Sequence, residues 1–107
     1  MDCIFCKIIR QEIPTKLIYE DDLAVAFNDL HPKAPHHLLI IPRQHVATLN
    51  DLNNPELGGH LLLVAQKLAS KLEIADAGYR LIINCNRNGG QEVFHLHLHL
   101  LGGRQLR

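Results

Sequence analysis

Net charge of either sign is missing from this sequence: eleven lysines and arginines offset eleven acids in 107 residues. Without a run of basic residues there is no electrostatic footprint for DNA, RNA or an anionic membrane. A long apolar segment is missing too. No run approaches the ~20 residues that span a bilayer, and Met1-Asp2-Cys3-Ile4-Phe5-Cys6 lacks the basic region and apolar core of a secretion signal. Cysteine is scarce at three, an odd number that argues against a disulfide framework and for reduced thiols, so a cytoplasmic protein is expected. No GxxxxGK occurs, which leaves P-loop nucleotide chemistry unsupported. No repeat, low-complexity tract or Pro/Gly/Ser linker divides the chain, and its length suits one domain over 1–107.

What the sequence does have is histidine, eight of them, at 31, 36, 37, 45, 60, 95, 97 and 99. Around them the apolar pattern is readable. Ile4, Phe5, Ile8 and Ile9 at helical spacing, stopped near Pro14, predict a short helix over Cys3 to Arg10. Leu17 to Glu20 and Leu23 to Asn28 flank an acidic pair as a hairpin would, and His37 to Ile41 before Pro42 reads as a central strand. Asn54-Pro55-Glu56 is a helix start, with Asn as N-cap, Pro at the first position and an acid in the first turn. Leu57, Leu61, Val64, Ala65, Leu68 and Leu72 continue it as one apolar face. Two further strands are expected at Tyr79 to Asn84 and Val93 to Leu101. The order predicts an α+β fold, a five-stranded antiparallel sheet with one short and one long helix.

In an extended strand His95, His97 and His99 share one face while Leu96, Leu98 and Leu100 take the other. Three histidines in a row can hold a metal, or can do phosphoryl or acyl chemistry, since a neutral imidazole attacks without a separate base. A solvated polar face is the third and weakest option. The preceding Asn84, with Asn86-Arg87-Asn88-Gly89-Gly90-Gln91-Glu92, is a polar glycine turn whose backbone N–H groups could surround an anion. It is equally the pattern of an ordinary hairpin connection.

His95-Leu96-His97-Leu98-His99-Leu100-Leu101, with Gly89-Gly90-Gln91 before it and Gly102-Gly103-Arg104 after it, resembles the histidine-triad family in its nucleotide-binding branch. Ile4-Phe5-Cys6-Lys7-Ile8-Ile9, Glu12-Ile13-Pro14, Glu20-Asp21-Asp22, Ala34-Pro35 and Ile40-Ile41-Pro42 extend the match over essentially the whole chain. The resemblance implies a homodimer whose two sheets join, and a purine nucleoside 5′-phosphoramidate hydrolase working through a covalent nucleotidyl-histidine without a catalytic metal. It puts the nucleophile at His97, oriented by the main-chain carbonyl of His95, with His99 at a phosphate oxygen or the leaving amine and His37 completing the polar lining. Asn84, Gly90, Gln91 and Glu92 then belong at the phosphate, Asp29 at the ribose hydroxyls, and Phe5, Ile8 and Leu30 at the base. Glu92 is a departure, because many relatives carry serine there and an acid repels an anion unless it turns away.

Relatives of the same superfamily also hold a structural zinc with a cysteine pair and two histidines. The matching positions are Cys3, Cys6, His45 and His95, a donor set suited to tetrahedral zinc. Cys85, His31, His36 and His60 are expected to be bystanders, with His31 and His60 facing solvent. The sequence stops at Arg107, where many relatives continue with a tail that tunes substrate choice, so looser specificity is expected. Two other activities stay open: dinucleoside polyphosphate hydrolysis or nucleotidyl transfer through the same His97, and nucleotide binding in a regulatory protein.

Overall fold

The computed structural model describes residues 3–107. Helix α1 covers Ile4–Ile9 and α2 covers Pro55–Lys71, with strands β1 at Leu17–Glu20, β2 at Ala24–Asn28, β3 at His36–Pro42, β4 at Tyr79–Ile82 and β5 at Leu98–Gly102. The strands form one five-stranded sheet in the order β1-β2-β3-β5-β4, antiparallel at every pairing. The predicted α+β architecture is therefore the observed one.

Local chemistry sets the long helix. The Asn54 side-chain oxygen accepts hydrogen bonds from the backbone N–H groups of Glu56 and Leu57 at 3.0 and 3.3 Å, and Lys71 in the last turn meets the negative end of the helix dipole. Its buried face, Leu57, Leu61, Val64, Ala65, Leu68 and Ala69, lies on one side of the sheet against Ala24, Ala26, Leu38, Ile40, Leu98 and Leu100. On the other side Val25, Phe27, Leu39 and Ile41 pack against Cys3, Phe5 and Ile8 of the short helix segment. Alternation along β2 and β3 thus feeds two cores, each fully buried leucine contributing about 2 kcal/mol. Seventeen residues of α2 cover their face; the six of α1 leave part of theirs open, and the open part is where the histidines collect.

Two expected boundaries shift. The last strand begins at Leu98 rather than Val93, and β4 ends at Ile82 rather than Asn84. The pairing of β3 with β5 stops at Ile40 with Leu98. Pro42 brings no N–H to a ladder, and the Leu96 N–H donates instead to the Val46 carbonyl at 2.6 Å. His95 and His97 accordingly sit in an irregular lead-in to β5, and only His99 lies in the strand.

Candidate active site

The in-and-out alternation survives the loss of the strand. Leu96 is buried in the α2-side core with Leu98 and Leu100, while His95 and His97 face α1, where the edge of the Phe5 ring meets them with centroids 5.8 and 5.1 Å away. His97 and His99 stand side by side, their ring centroids 5.1 Å apart. A cavity of about 730 Å³ opens here, with His97 and His99 in its wall.

Tautomers follow from what each nitrogen faces. The His97 Nδ1 lies 2.7 Å from the His95 carbonyl oxygen; a carbonyl only accepts, so Nδ1 carries the proton and Nε2 keeps a lone pair. His37 is fixed from the other end. The Lys33 backbone N–H donates to His37 Nδ1 at 3.1 Å, leaving the proton on Nε2, which donates to His99 Nδ1 at 3.0 Å with the Asp29 carboxylate 3.4 Å away. His99 must then carry its own proton on Nε2. The result is a lone pair at His97 beside a donor at His99, the two complementary groups that attack and leaving-group protonation need.

Burial pushes the His99 pKa down to about 4, helped by the neighbouring His97 and His37 rings, and burial lowers His37 as well despite Asp29. These imidazoles are neutral in the folded protein and protonate more readily once unfolded. The unfolded chain therefore binds more protons below pH ~6.5, and the native state loses stability as pH falls toward 4, below which His99 contributes no further loss. A drop from 6.5 to about 4 for His99 corresponds to on the order of 3 kcal/mol. Urea midpoints measured between pH 7 and 4 should fall along that window, with a shallower slope in His99→Ala; a flat profile would refute the neutral cluster.

The turn before β5 is held by its own side chains. Asn86 and Gly90 take positive φ, 60° and 78°, and the Asn84 amide donates to the Gly89 carbonyl at 2.7 Å. The buried Gln91 accepts from the Asn86 N–H at 2.8 Å and donates to the Ala47 and Val93 carbonyls at 2.8 and 3.1 Å. Its side chain is thus committed to bracing the turn and does not line the cavity, unlike its neighbours Gly90 and Glu92, and Asn84. Phe5, Ile8, Asp29 and Leu30 also reach the wall, with Leu30 at the rim 89% exposed. His37 and His95 lie behind that wall. The groups missing from the sequence reading are the Lys33 N–H and the Pro42 carbonyl; main-chain atoms leave no trace in residue type.

Residues 10–106 match the HIT domain model. The chain belongs to the HIT family. The HIT chain is 52% identical to the purine nucleoside phosphoramidase of Escherichia coli strain K12, over 98% of its own length and 90% of that protein's. It superposes on a HIT family hydrolase from Legionella pneumophila with a TM-score of 0.96 at 52% identity, covering 99% and 96% of the two chains. Against a histidine triad nucleotide-binding protein from Candida albicans the TM-score is 0.85 at 37% identity, over 92% and 73%.

Behind the HIT histidines, Cys3, Cys6, His45 and His95 bring their ligand atoms within 4.8 Å of one another. His95 Nδ1 is 3.4 Å from the Cys3 sulfur and 3.6 Å from that of Cys6, which is 3.4 Å from His45 Nδ1. The donor set fits zinc, and so does its support: His95 Nε2–H donates to the Pro42 carbonyl at 2.8 Å, which frees Nδ1 for a metal. Asp29, His37 and His99 form a second such group but fit poorly. A histidine bound through Nε2 needs its proton on Nδ1, where His37 already accepts from Lys33.

The bystanders behave mostly as expected. Cys85 is half-buried outside the cluster, and His31 is exposed, though at the cavity rim. His60 is a correction. It is half-buried, not solvent-facing, and its Nε2 lies 2.7 Å from the Asp21 carboxylate, tying α2 to the β1–β2 turn.

Proposed function

We propose that this HIT protein hydrolyses purine nucleoside 5′-phosphoramidates through a covalent intermediate on His97. The observation that carries the reading is the 2.7 Å contact of His97 Nδ1 with the His95 carbonyl, which turns the Nε2 lone pair into a preset nucleophile beside His99. His97 Nε2 attacks phosphorus and the P–N bond breaks. The departing amine takes up one proton, which it receives from solvent through His99, the donor at Nε2. Water then attacks phosphorus, its proton passes through His99 to solvent, and the P–Nε2 bond breaks, restoring neutral His97 and releasing the nucleoside monophosphate. On this reading Asn84 and Gly90 contact the phosphate, Asp29 accepts from the ribose hydroxyls, and Phe5, Ile8 and Leu30 meet the base, as their places in the cavity wall support.

Turnover of adenosine 5′-phosphoramidate well above that of diadenosine polyphosphate is the expected result. The reverse ranking would move the assignment to polyphosphate hydrolysis.

The same reading places a structural zinc on Cys3, Cys6, His45 and His95, uninvolved in the chemical step. It takes residues 1–107 as a single domain working in the cytoplasm, where its thiols stay reduced. It also makes the protein a homodimer. β4 is an edge strand, and Leu62 and Leu63 of α2 are 52% and 62% exposed, features that a second copy would cover. Sedimentation at twice 12.1 kDa is expected, and a monomer mass would refute the dimer.

A further inference from the structure

Gly102-Gly103-Arg104 follows the histidines directly in the sequence, and the proposed chemistry gives it no part. Arg104 is exposed and lies outside the wall of the cavity that holds His97 and His99. Both terminal nitrogens of its guanidinium are nevertheless committed: Nη1 donates to the Gln105 carbonyl at 2.9 Å, and Nη2 to the Lys33 carbonyl at 3.0 Å, 71 residues back along the chain. Gly103 brings the arginine there. Its φ is +101°, and a Cβ at that position would meet Pro35 at 2.9 Å and His36 at 3.2 Å, so the backbone runs against the 29–35 loop where a side chain does not fit.

That loop connects β2 to β3 and carries the groups that set the protons of His37. The Lys33 N–H donates to His37 Nδ1 at 3.1 Å, and the Asp29 carboxylate, which accepts from the His31 N–H at 2.8 Å, lies 3.4 Å from His37 Nε2. Both contacts favour a proton on His37 Nε2, which is donated to His99 Nδ1 at 3.0 Å and leaves His99 its own proton on Nε2. The loop has little of its own to keep it still. It forms no helix or strand, and Pro32 and Pro35 bring no N–H. Among the described residues its other hydrogen bonds run within it or to His37, so Arg104 is its hydrogen-bonded tie to a distant segment. If Lys33 withdraws, His37 Nδ1 loses its donor and competes for the proton. A proton there makes His37 Nε2 an acceptor, and His99 then turns its proton to Nδ1, leaving no donor at Nε2.

Building on the phosphoramidase reading, we infer that Arg104 is a positioning residue for proton transfer: by clamping the Lys33 main chain against His37 it keeps the His99 proton on Nε2, where protonation of the leaving group needs it. General acid–base catalysis contributes about 10² to 10⁴, and releasing the clamp gives up part of that, about fivefold, through tautomer and placement together.

The test is kcat/KM, which runs from binding to P–N cleavage, for the adenosine 5′-phosphoramidates of n-butylamine and of p-nitroaniline. The first leaving group must be protonated to depart, and the second needs far less help. Arg104→Ala should lower the butylamide about fivefold and the nitroanilide by less than about twofold, and Arg104→Lys, which retains a cationic donor, should recover part of the loss. In a His99→Ala background, Arg104→Ala should cost nothing further. Proton–nitrogen correlation spectra of the imidazoles at neutral pH should show His37 and His99 protonated at Nε2 in wild type, with the Nδ1–H form admixed in Arg104→Ala. Equal losses on the two substrates, a further loss in the His99→Ala background, or unchanged tautomers in Arg104→Ala each overturn the inference. If wild type cleaves neither compound, the hydrolase reading falls instead, and the spectra still decide what Arg104 holds.

Discussion

His97→Ala should lower turnover of adenosine 5′-phosphoramidate by more than about 10⁴-fold, the scale on which removal of a covalent nucleophile registers. Alanine deletes the attacking nitrogen but leaves the wall formed by Phe5, Ile8 and Asp29, so affinity for adenosine monophosphate should change only a few-fold. Acid-quenched wild type under single turnover should carry a nucleotide mass on the peptide spanning residues 95–99, and the variant none. His99→Ala should fall less, by about 10² to 10⁴, and least for substrates whose amine leaves easily. An adduct that persists in His97→Ala, or that maps to another residue, would remove His97 from the role given to it. The arrangement asks for little rearrangement at the moment of attack: the His95 carbonyl already holds the Nδ1 proton, and the His37–His99 pair already places the second proton on the cavity side of the network.

Stripping metal from the Cys3, Cys6, His45 and His95 cluster should have the largest effect on stability. One zinc per chain is expected by elemental analysis. With free zinc at about a hundredfold over its dissociation constant, linkage contributes about 2.7 kcal/mol, and chelation should then lower Tm by on the order of 10–20 °C in a chain of this size. Cys3→Ala with Cys6→Ala should show the lower Tm with and without zinc. The reason for so large an effect is reach. The four ligands tie α1 to the segment after β3 and to the lead-in of β5, parts of the chain up to 92 residues apart, and α1 has only six residues of its own to hold it. Because His95 offers its ring to the metal and its carbonyl to His97, chelation should also reduce kcat a few-fold. An unchanged Tm after chelation would show that the cluster is held by thiol–imidazole hydrogen bonds alone.

Much of this was legible from residue order. The cap at Asn54 and the 3–4 spacing of leucines marked α2 to within a residue or two, and the His/Leu alternation told which residues face the core even where no strand forms. That pattern worked for His95 and His97 because alternation is a property of an extended chain, while strand assignment requires a neighbour to pair with, which Pro42 and the Val46 carbonyl take away. For Gln91 residue type suggests the ligand, as a polar residue beside a phosphate turn does, and only its partners Asn86, Ala47 and Val93 reveal that the side chain is a brace. His60 looked free because Asp21, its partner, lies 39 residues away.

By itself the sequence determined the α+β class, the resemblance to histidine-triad proteins, and the kinds of side chain that gather at the site, since these depend on residue type and short-range spacing. The tertiary structure decided which nitrogen of each histidine carries the proton, that Cys3, Cys6, His45 and His95 converge, and that Arg104 reaches the Lys33 carbonyl. Those facts hang on main-chain carbonyls and N–H groups brought together from distant segments, and such groups are identical at every position until the chain folds.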